Sequence, residues 1–416
     1  LDTLPHVGAV IRGNDDERVR RLLLWLAEVV DERAVRYAAV NAGSVIQYRT
    51  AASTPEEPRI LLLLDGLSGF LKAYEANDAW IDRLVAIASA GRPVGVHVVM
   101  SADRSGAIPT QLAATIQQRL VLRMNSTEEY DSCGVPRTML QPDSAQGRGI
   151  WGGVETQVGV LGTSADLGAQ ARAMGDLSAD MTKVGAPVAP PIKRLPEAVQ
   201  LSDLPAVVGD EMSVGVRDDT MGPLTVPVEG TIAVTGPPGA GRTTALATIA
   251  SAARRAVPVT TMVLLSPDRR SPLPNAVSWD RLAIGLEQGG ALAEELSELS
   301  STSSDHVVLV VEKLAEWGDS SAEFALDALI KAVTRSGGMV VSDSDAMTYS
   351  RSYGLGVGAN ASRIGIMLQP DGTDGSAFGA DLPRRLNRAD FPPGRGFLAR
   401  GGRVVLAQVA LSDGAG

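Results

Sequence analysis

Residues 231–244 constrain this chain more than any other stretch. An apolar run, Thr231 to Thr235, is followed by Gly236, Pro237, Pro238, Gly239, Ala240, Gly241, Arg242, Thr243 and Thr244. A helix-forming run continues to Ala250. The pattern G-x-x-x-x-G-K-[ST] is met at every position except one, where Arg242 replaces lysine. A short buried strand, a glycine loop and a helix start bring backbone N–H groups together around an anion-sized space, and the glycines permit close approach. The order predicts an α/β layer with a phosphate-binding loop. Arg242 keeps the positive charge, but its planar fork has a different reach from a lysine ammonium. A nucleotide-site origin is expected for Gly236 to Thr244. Whether ATP still binds there stays open.

The rest of the composition narrows the setting. With 416 residues the chain has room for two domains, each with its own core. Aromatic residues make up 4%, which suits close-packed α/β layers better than a β-sandwich. The net charge of -10 comes with no basic stripe, so a duplex-binding surface is not expected from charge. The single cysteine, Cys133, excludes an internal disulfide framework and a cysteine zinc site. His6, His97 and His306 lack ligand spacing and read as structural. No apolar run approaches the ~20 residues of a membrane span, and no leader opens the chain, so these residues are expected to be soluble and cytosolic. The start at Leu1, without methionine, suggests a piece of something longer.

A weak internal repeat sets the domain count. Gly147 to Val158 and Gly394 to Val405 both read as a glycine turn followed by a β-rich hairpin. Upstream of each lies a strand-like run with arginine, Gln118 to Met124 and Ser362 to Leu368. Further upstream come Ile60 to Leu64, ending at Asp65, and Val307 to Val311, ending at Glu312. These unalternating runs predict parallel strands buried on both faces. Helices are expected over Asp15 to Arg36, Ala79 to Ala90 and Ala322 to Thr334, and a small β element over 207–228 ahead of the glycine loop. The division expected is residues 1–165 as the C-terminal part of one α/β module, 166–205 as a Pro/Ala-rich linker, and 206–416 as a second module. The first module carries no glycine loop in this chain.

The ordered motifs resemble the FtsK/SpoIIIE family of P-loop motor ATPases over most of the length. Leu4 to His6, the leucine-rich helix with Trp25, Asp31 to Tyr37 and Asn41 to Tyr48 follow the family's segment between P-loop and Walker B. Pro58 to Asp65 resembles a Walker B strand, and Gly91 to Arg104 the strand that carries a sensing polar residue and an arginine. Two modules in tandem, the second opened by a β element, resemble the type VII secretion branch (EccC/EssC). The resemblance implies two tandem RecA-like modules with mainly parallel sheets, ATP and Mg²⁺ as ligands, and hexameric assembly of the full-length protein. Its implied partners are other secretion subunits and a secreted substrate with a helical signal, at the cytoplasmic face of the membrane. A DNA translocase and a nucleotide-free binding platform are the competing readings.

The departures bear on activity. By resemblance, Asp65 and Glu312 stand in the Walker B metal slot, with Thr243 as the hydroxyl ligand of Mg²⁺ and Thr244 near the α-phosphate. Asp65 also reads as a strand-end carboxylate capping a turn, and Glu312 as an ion-pair partner of Lys313 or Arg242. The slot of the water-polarising glutamate holds Gly66 in the first copy and Lys313 in the second. Arg104 and Arg92 are candidate arginine fingers, and surface ion pairs otherwise. Asp343 falls in the second copy's sensing strand and reads as structural. Losing a general base costs about 10²–10⁴-fold, so hydrolysis is expected to be weak or lost.

Overall fold

The computed structural model describes residues 1–412 except 14, 75–77, 104, 125, 141–142, 301–305, 352 and 384–385. The chain divides into two compact units, Leu1–Arg194 and Leu195–Gly416.

In unit 1 the helix α1 (Asp16–Ala38) is entered at Asp15, whose carboxylate accepts the Arg18 N–H at 3.4 Å. Its residues Val19, Leu23, Leu26 and Val30 recur at helical spacing and are buried as one stripe. Helix α2 (Val45–Ala51) and strand β1 (Ile60–Leu64) follow, then α3 (Leu67–Ala73), α4 (Asp78–Ala90) and β2 (Val96–Met100). Strands β1 and β2 pair in parallel. The short helix α5 (Thr110–Thr115), β3 (Leu120–Leu122) and α6 (Thr127–Ser132) lead to β4 (Arg148–Trp151) and β5 (Val154–Gln157). Strands β3, β4 and β5 form an antiparallel sheet around the expected hairpin.

The strand β1 corrects one expectation. Ile60, Leu62 and Leu64 pack on α1 and α4, whereas Leu61 and Leu63 are 61% and 58% exposed. The sheet in unit 1 is therefore covered on one face among the described residues.

The stretch 166–205 is also more structured than a linker. Asp166 accepts the Ala169 N–H at 2.9 Å and starts α7 (Leu167–Lys183), a proline-free run. The proline-rich part that follows is extended yet packed in unit 1: Ala189 N–H donates to the Pro5 carbonyl at 2.8 Å, and Arg18 Nε to the Ile192 carbonyl at 3.0 Å. From Leu195 onward the chain belongs to unit 2, where Leu195, Val199 and Leu201 enter the core. The physical reason is burial: these apolar side chains have a core to join.

Unit 2 begins with β6 (Val207–Val208), β7 (Glu211–Arg217) and β8 (Pro223–Pro227), followed by β9 (Gly230–Thr235), α8 (Arg242–Ala256) and β10 (Thr261–Ser266). Then come α9 (Leu273–Ala276), β11 (Arg281–Ile284), α10 (Leu286–Ser300), β12 (Val307–Val311), α11 (Glu323–Arg335) and β13 (Met339–Ser344). Helices α12 (Ala346–Ser350) and α13 (Leu355–Ala359) precede β14 (Ile364–Leu368), β15 (Arg395–Arg400) and β16 (Arg403–Val409). The sheet runs β11-β10-β12-β13-β9-β14-β15-β16-β7-β6, with β8 on β7. Strands β11 through β14 are parallel, and the remainder is antiparallel. The β element ahead of the glycine loop thus extends the main sheet by pairing β7 with β16, rather than standing apart.

The parallel strands are buried on both faces here, as their unalternating composition predicts. Val308, Val310 and Val341 pack in one cluster with Leu246, Ile249 and Ala250 of α8. Leu309, Val311 and Val340 pack in the other with Leu326, Leu329 and Ile330 of α11. By strand register, Leu61 and Leu63 correspond to Val308 and Val310. The face of β1 left exposed in unit 1 is thus the one that α8 covers in unit 2.

Candidate functional site

The parallel order β12-β13-β9 places a strand between the glycine-loop strand and β12. Their C-terminal ends lie side by side at one edge of the sheet, the usual place for a ligand in such folds. In register, Asp343 lies opposite Val234, and Ser342 opposite Val311, so the residue after β12, Glu312, comes beside the loop.

The loop itself has a phosphate-binding shape. Gly239 and Gly241 have φ of 82° and 98°, the left-handed region that glycine adopts without strain. A Cβ on Gly241 would lie 3.1 Å from the Gly394 nitrogen. That nitrogen donates to the Ala240 carbonyl at 2.9 Å, so the repeat's glycine turn braces the loop from behind. Helix α8 starts at Arg242, and its first-turn N–H groups have no intrahelical partners. The loop and the helix start border a cleft of ≈ 380 Å³, lined by Gly236, Pro238, Arg242, Lys313, Asp345 and Arg388. The cradle fits a polyphosphate.

The charged side chains around the cradle are paired. Arg242 Nη1 lies 3.3 Å from Asp343 Oδ2. Asp343 Oδ1 accepts the backbone N–H of Lys313 at 2.7 Å. Burial raises the Asp343 carboxyl above the usual range, opposed by the Lys313 N–H and by the Arg242 charge. Lys313, with φ of 50°, sends its ammonium to Asp268 at 2.7 Å. That bond raises the Lys313 pKa and lowers that of Asp268. Glu312 is 2% exposed, and its side chain bonds to hydroxyls rather than to either cation. Its Oε2 accepts from Ser266 Oγ at 2.6 Å, and Oε1 lies 3.5 Å from Thr243 Oγ1. The Trp317 indole donates to its carbonyl at 3.0 Å.

One expectation changes accordingly. The ion-pair reading of Glu312 gives way to hydroxyl bonding. Lys313 does not turn toward the metal slot, because Asp268 is within reach. Thr243 and Glu312, brought together as the motif implies, are the residues that would hold Mg²⁺. The residue after Glu312, Lys313, is a cation and cannot accept a proton from water. Among the described residues no group of three or more His, Cys, Asp or Glu could hold a metal on its own.

Unit 1 repeats part of this arrangement. Gly66, with φ of 74°, matches Lys313, and its N–H donates to Ser101 Oγ at 2.8 Å. By register Ser101 matches Asp343, so each unit satisfies the same N–H with the side chain that follows the same strand position. Ser101 Oγ in turn donates to Asp65 at 2.5 Å, so Asp65 is tied to its own sheet. Arg92 bonds to Gln117, and Arg104 lies outside the described residues.

Sequence reasoning missed Asp268, Ser266, Asp374 and Arg388 as neighbours of the site, and gave Asp343 no partner. The strand order would have placed Asp343 opposite the loop. No local signal marks Asp374 or Arg388, which reach the cleft from the stretch between β14 and β15.

A P-loop cradle at the end of a mainly parallel sheet in unit 2, with part of the same strand-end bonding repeated in unit 1, defines a tandem P-loop ATPase fold. No protein-family model matches the chain. It is 26% identical over 452 residues to the ESX-4 secretion system protein EccC4 of Mycobacterium tuberculosis, covering 99% of this chain and 35% of that protein. It is 25% identical over 244 residues to the ESX secretion system protein EccC of Thermomonospora curvata, covering 54% of this chain and 18% of that protein. ATPases 2 and 3 of EssC from Geobacillus thermodenitrificans superpose with a TM-score of 0.76 at 19% identity, covering 99% of this chain and 82% of that one. ATPases 2 and 3 of the T. curvata EccC, solved with a signal sequence peptide, give 0.74 at 19% identity, covering 98% of this chain and 79% of that one. The chain's homologues are thus EccC-type secretion ATPases, and the FtsK/SpoIIIE-like P-loop ATPase family fits its fold. It spans about a third of the EccC4 length.

Proposed function

We propose that this chain is a motor-type module pair of a type VII secretion ATPase, in which unit 2 binds nucleotide and has lost hydrolysis. The observation that carries the second half is Lys313 in the base position, its ammonium held by Asp268 at 2.7 Å. Nucleotide chemistry at unit 2 would be confined to binding: α8 and the loop N–H groups hold phosphate, and Thr243 with Glu312 hold Mg²⁺. A bound nucleotide would then act as a structural ligand, stabilising the fold by its binding free energy. Asp65 would serve unit 1 as a turn-capping carboxylate.

A peptide-docking role is supported by the signal sequence complex of the T. curvata EccC. Unit 2 carries a fitting surface in Phe324, Met347, Tyr353 and Val357, exposed by 89%, 69%, 70% and 50% around the adjoining helices α11, α12 and α13. Large exposed apolar groups of this kind mark interaction sites, and an amphipathic signal helix would cover them. Hexamerisation, other secretion subunits as partners, and a place on the cytoplasmic side of the membrane belong to the same reading, because a related solved structure is a cytoplasmic domain of EccC. No described helix is long and apolar enough to cross a membrane.

Calorimetry with ATP in the presence of Mg²⁺, run beside a phosphate-release assay, tests the proposal. Micromolar binding without steady phosphate release is expected. No binding would leave the nucleotide-free platform, and steady release would restore a working ATPase. A salt-steep DNA complex would favour the translocase reading.

A further inference from the structure

We infer that Asp343 stands in for the terminal phosphate of a nucleoside triphosphate, so that the unit 2 site prefers a nucleoside diphosphate. The inference rests on nucleotide binding at this site, as proposed above, and adds which nucleotide it takes.

In a P-loop the cation of the G-K-[ST] segment reaches the β- and γ-phosphates. Here that cation, Arg242, lies 3.3 Å from a carboxylate that is 2% exposed. The other cation at this end, Lys313, is committed to Asp268 at 2.7 Å. Across the cleft, Arg388 is held by Asp371 at 3.0 Å. Glu312 adds a second buried carboxylate beside Thr243. With Glu312 and Thr243 given to Mg²⁺, the side chains left at the γ end are Arg242 and Lys313, already paired with Asp343 and Asp268 respectively. A γ-phosphate brought to this end meets the buried Asp343 carboxylate, and each described cation lining the cleft already has a carboxylate partner. Low-dielectric surroundings strengthen that like-charge contact. The α- and β-phosphates lie over the loop and the start of α8, where backbone N–H groups supply the binding.

Asp343 is fixed in this place from both sides. Its Oδ1 accepts the Lys313 N–H at 2.7 Å while Oδ2 faces Arg242, so turning it away would leave a half-buried N–H without this partner. Unit 1 shows that this backbone bond does not need a charge, because Ser101 accepts the matching Gly66 N–H at 2.8 Å through a hydroxyl. Asp343→Ser is thus a substitution with a precedent in the same chain, and it frees Arg242 for a phosphate.

The test is calorimetric titration of the whole chain with ADP and with ATP, both with Mg²⁺, for the unaltered protein, D343S and D343N. The unaltered protein should bind ADP about threefold or more tighter than ATP. Either variant should tighten ATP roughly tenfold and ADP by clearly less than ATP. ATP binding tighter than ADP in the unaltered protein, or equal shifts for both nucleotides in the variants, overturns the inference and leaves nucleotide binding intact. Binding of neither nucleotide to any of the three proteins overturns nucleotide binding itself. Should both variants fail to fold by circular dichroism, the ADP-to-ATP ratio of the unaltered protein decides.

Discussion

The guanidinium of Arg242 lies 3.3 Å from the carboxylate of Asp343, and the aspartate is 2% exposed. The pair joins the glycine loop to the neighbouring strand β13. Removing one partner of a fully buried pair costs about 3–5 kcal/mol. Arg242 is 24% exposed, which puts the expected loss for Arg242→Ala nearer ~2 kcal/mol. Chemical denaturation of unit 2 checks this, and an unchanged midpoint would show that the pair contributes nothing.

The same aspartate sets a pH dependence. Its carboxyl is raised by burial. The folded state therefore holds the proton more firmly than the unfolded one, whose value is about 3.9. Its contribution to stability is full below that value and is lost as pH rises through the shifted one. The unaltered protein should lose stability relative to Asp343→Asn as pH rises above the ordinary carboxylate range. Parallel stability-pH curves for the two proteins would rule out this dependence.

Arg242→Lys restores the motif's lysine and leaves Lys313 in the base position. Nucleotide binding should change modestly, and steady phosphate release should stay at background. Measurable turnover in this single variant would mean that the loop, not the base, limits the chemistry.

Gly289 faces the Trp317 ring, and a Cβ there would lie 2.2 Å from the indole. The indole also holds the Glu312 carbonyl at 3.0 Å. Gly289→Ala should therefore destabilise unit 2 by about 1–3 kcal/mol. Urea unfolding followed by tryptophan fluorescence reads the loss; full tolerance would show that α10 shifts freely.

Substituting Phe324 and Tyr353 together by aspartate should weaken binding of an amphipathic signal peptide about tenfold or more, as expected when central apolar anchors are lost. Both are largely exposed, so the melting temperature should hold. Peptide binding unchanged in the double variant would move the docking surface elsewhere.

How much of this was legible in the sequence follows from how local each feature is. The strand, glycine loop and helix at 231–250 were legible because glycine positions and apolar runs are local signals. The buried β12 and β13 were legible for the same reason. The exposure of Leu61 and Leu63 was not, because composition reports a two-sided strand and only the packed fold shows which face is covered. The helix over Leu167–Lys183 was hidden by the prolines that follow it. At the site, Arg242, Glu312 and Lys313 were legible as departures from a motif. Their partners were not: Asp343 and Asp268 are reached through strand order and a loop, and a carboxylate in sequence says nothing about which cation it will meet.

Loss of hydrolysis at unit 2 is tested most directly by a single-turnover experiment. The chain is mixed with a substoichiometric amount of ATP and Mg²⁺, and the nucleotide is recovered and resolved after prolonged incubation. ATP should be recovered intact from the protein-bound fraction. Conversion to ADP that disappears when Thr243 is changed to alanine would contradict a site confined to binding.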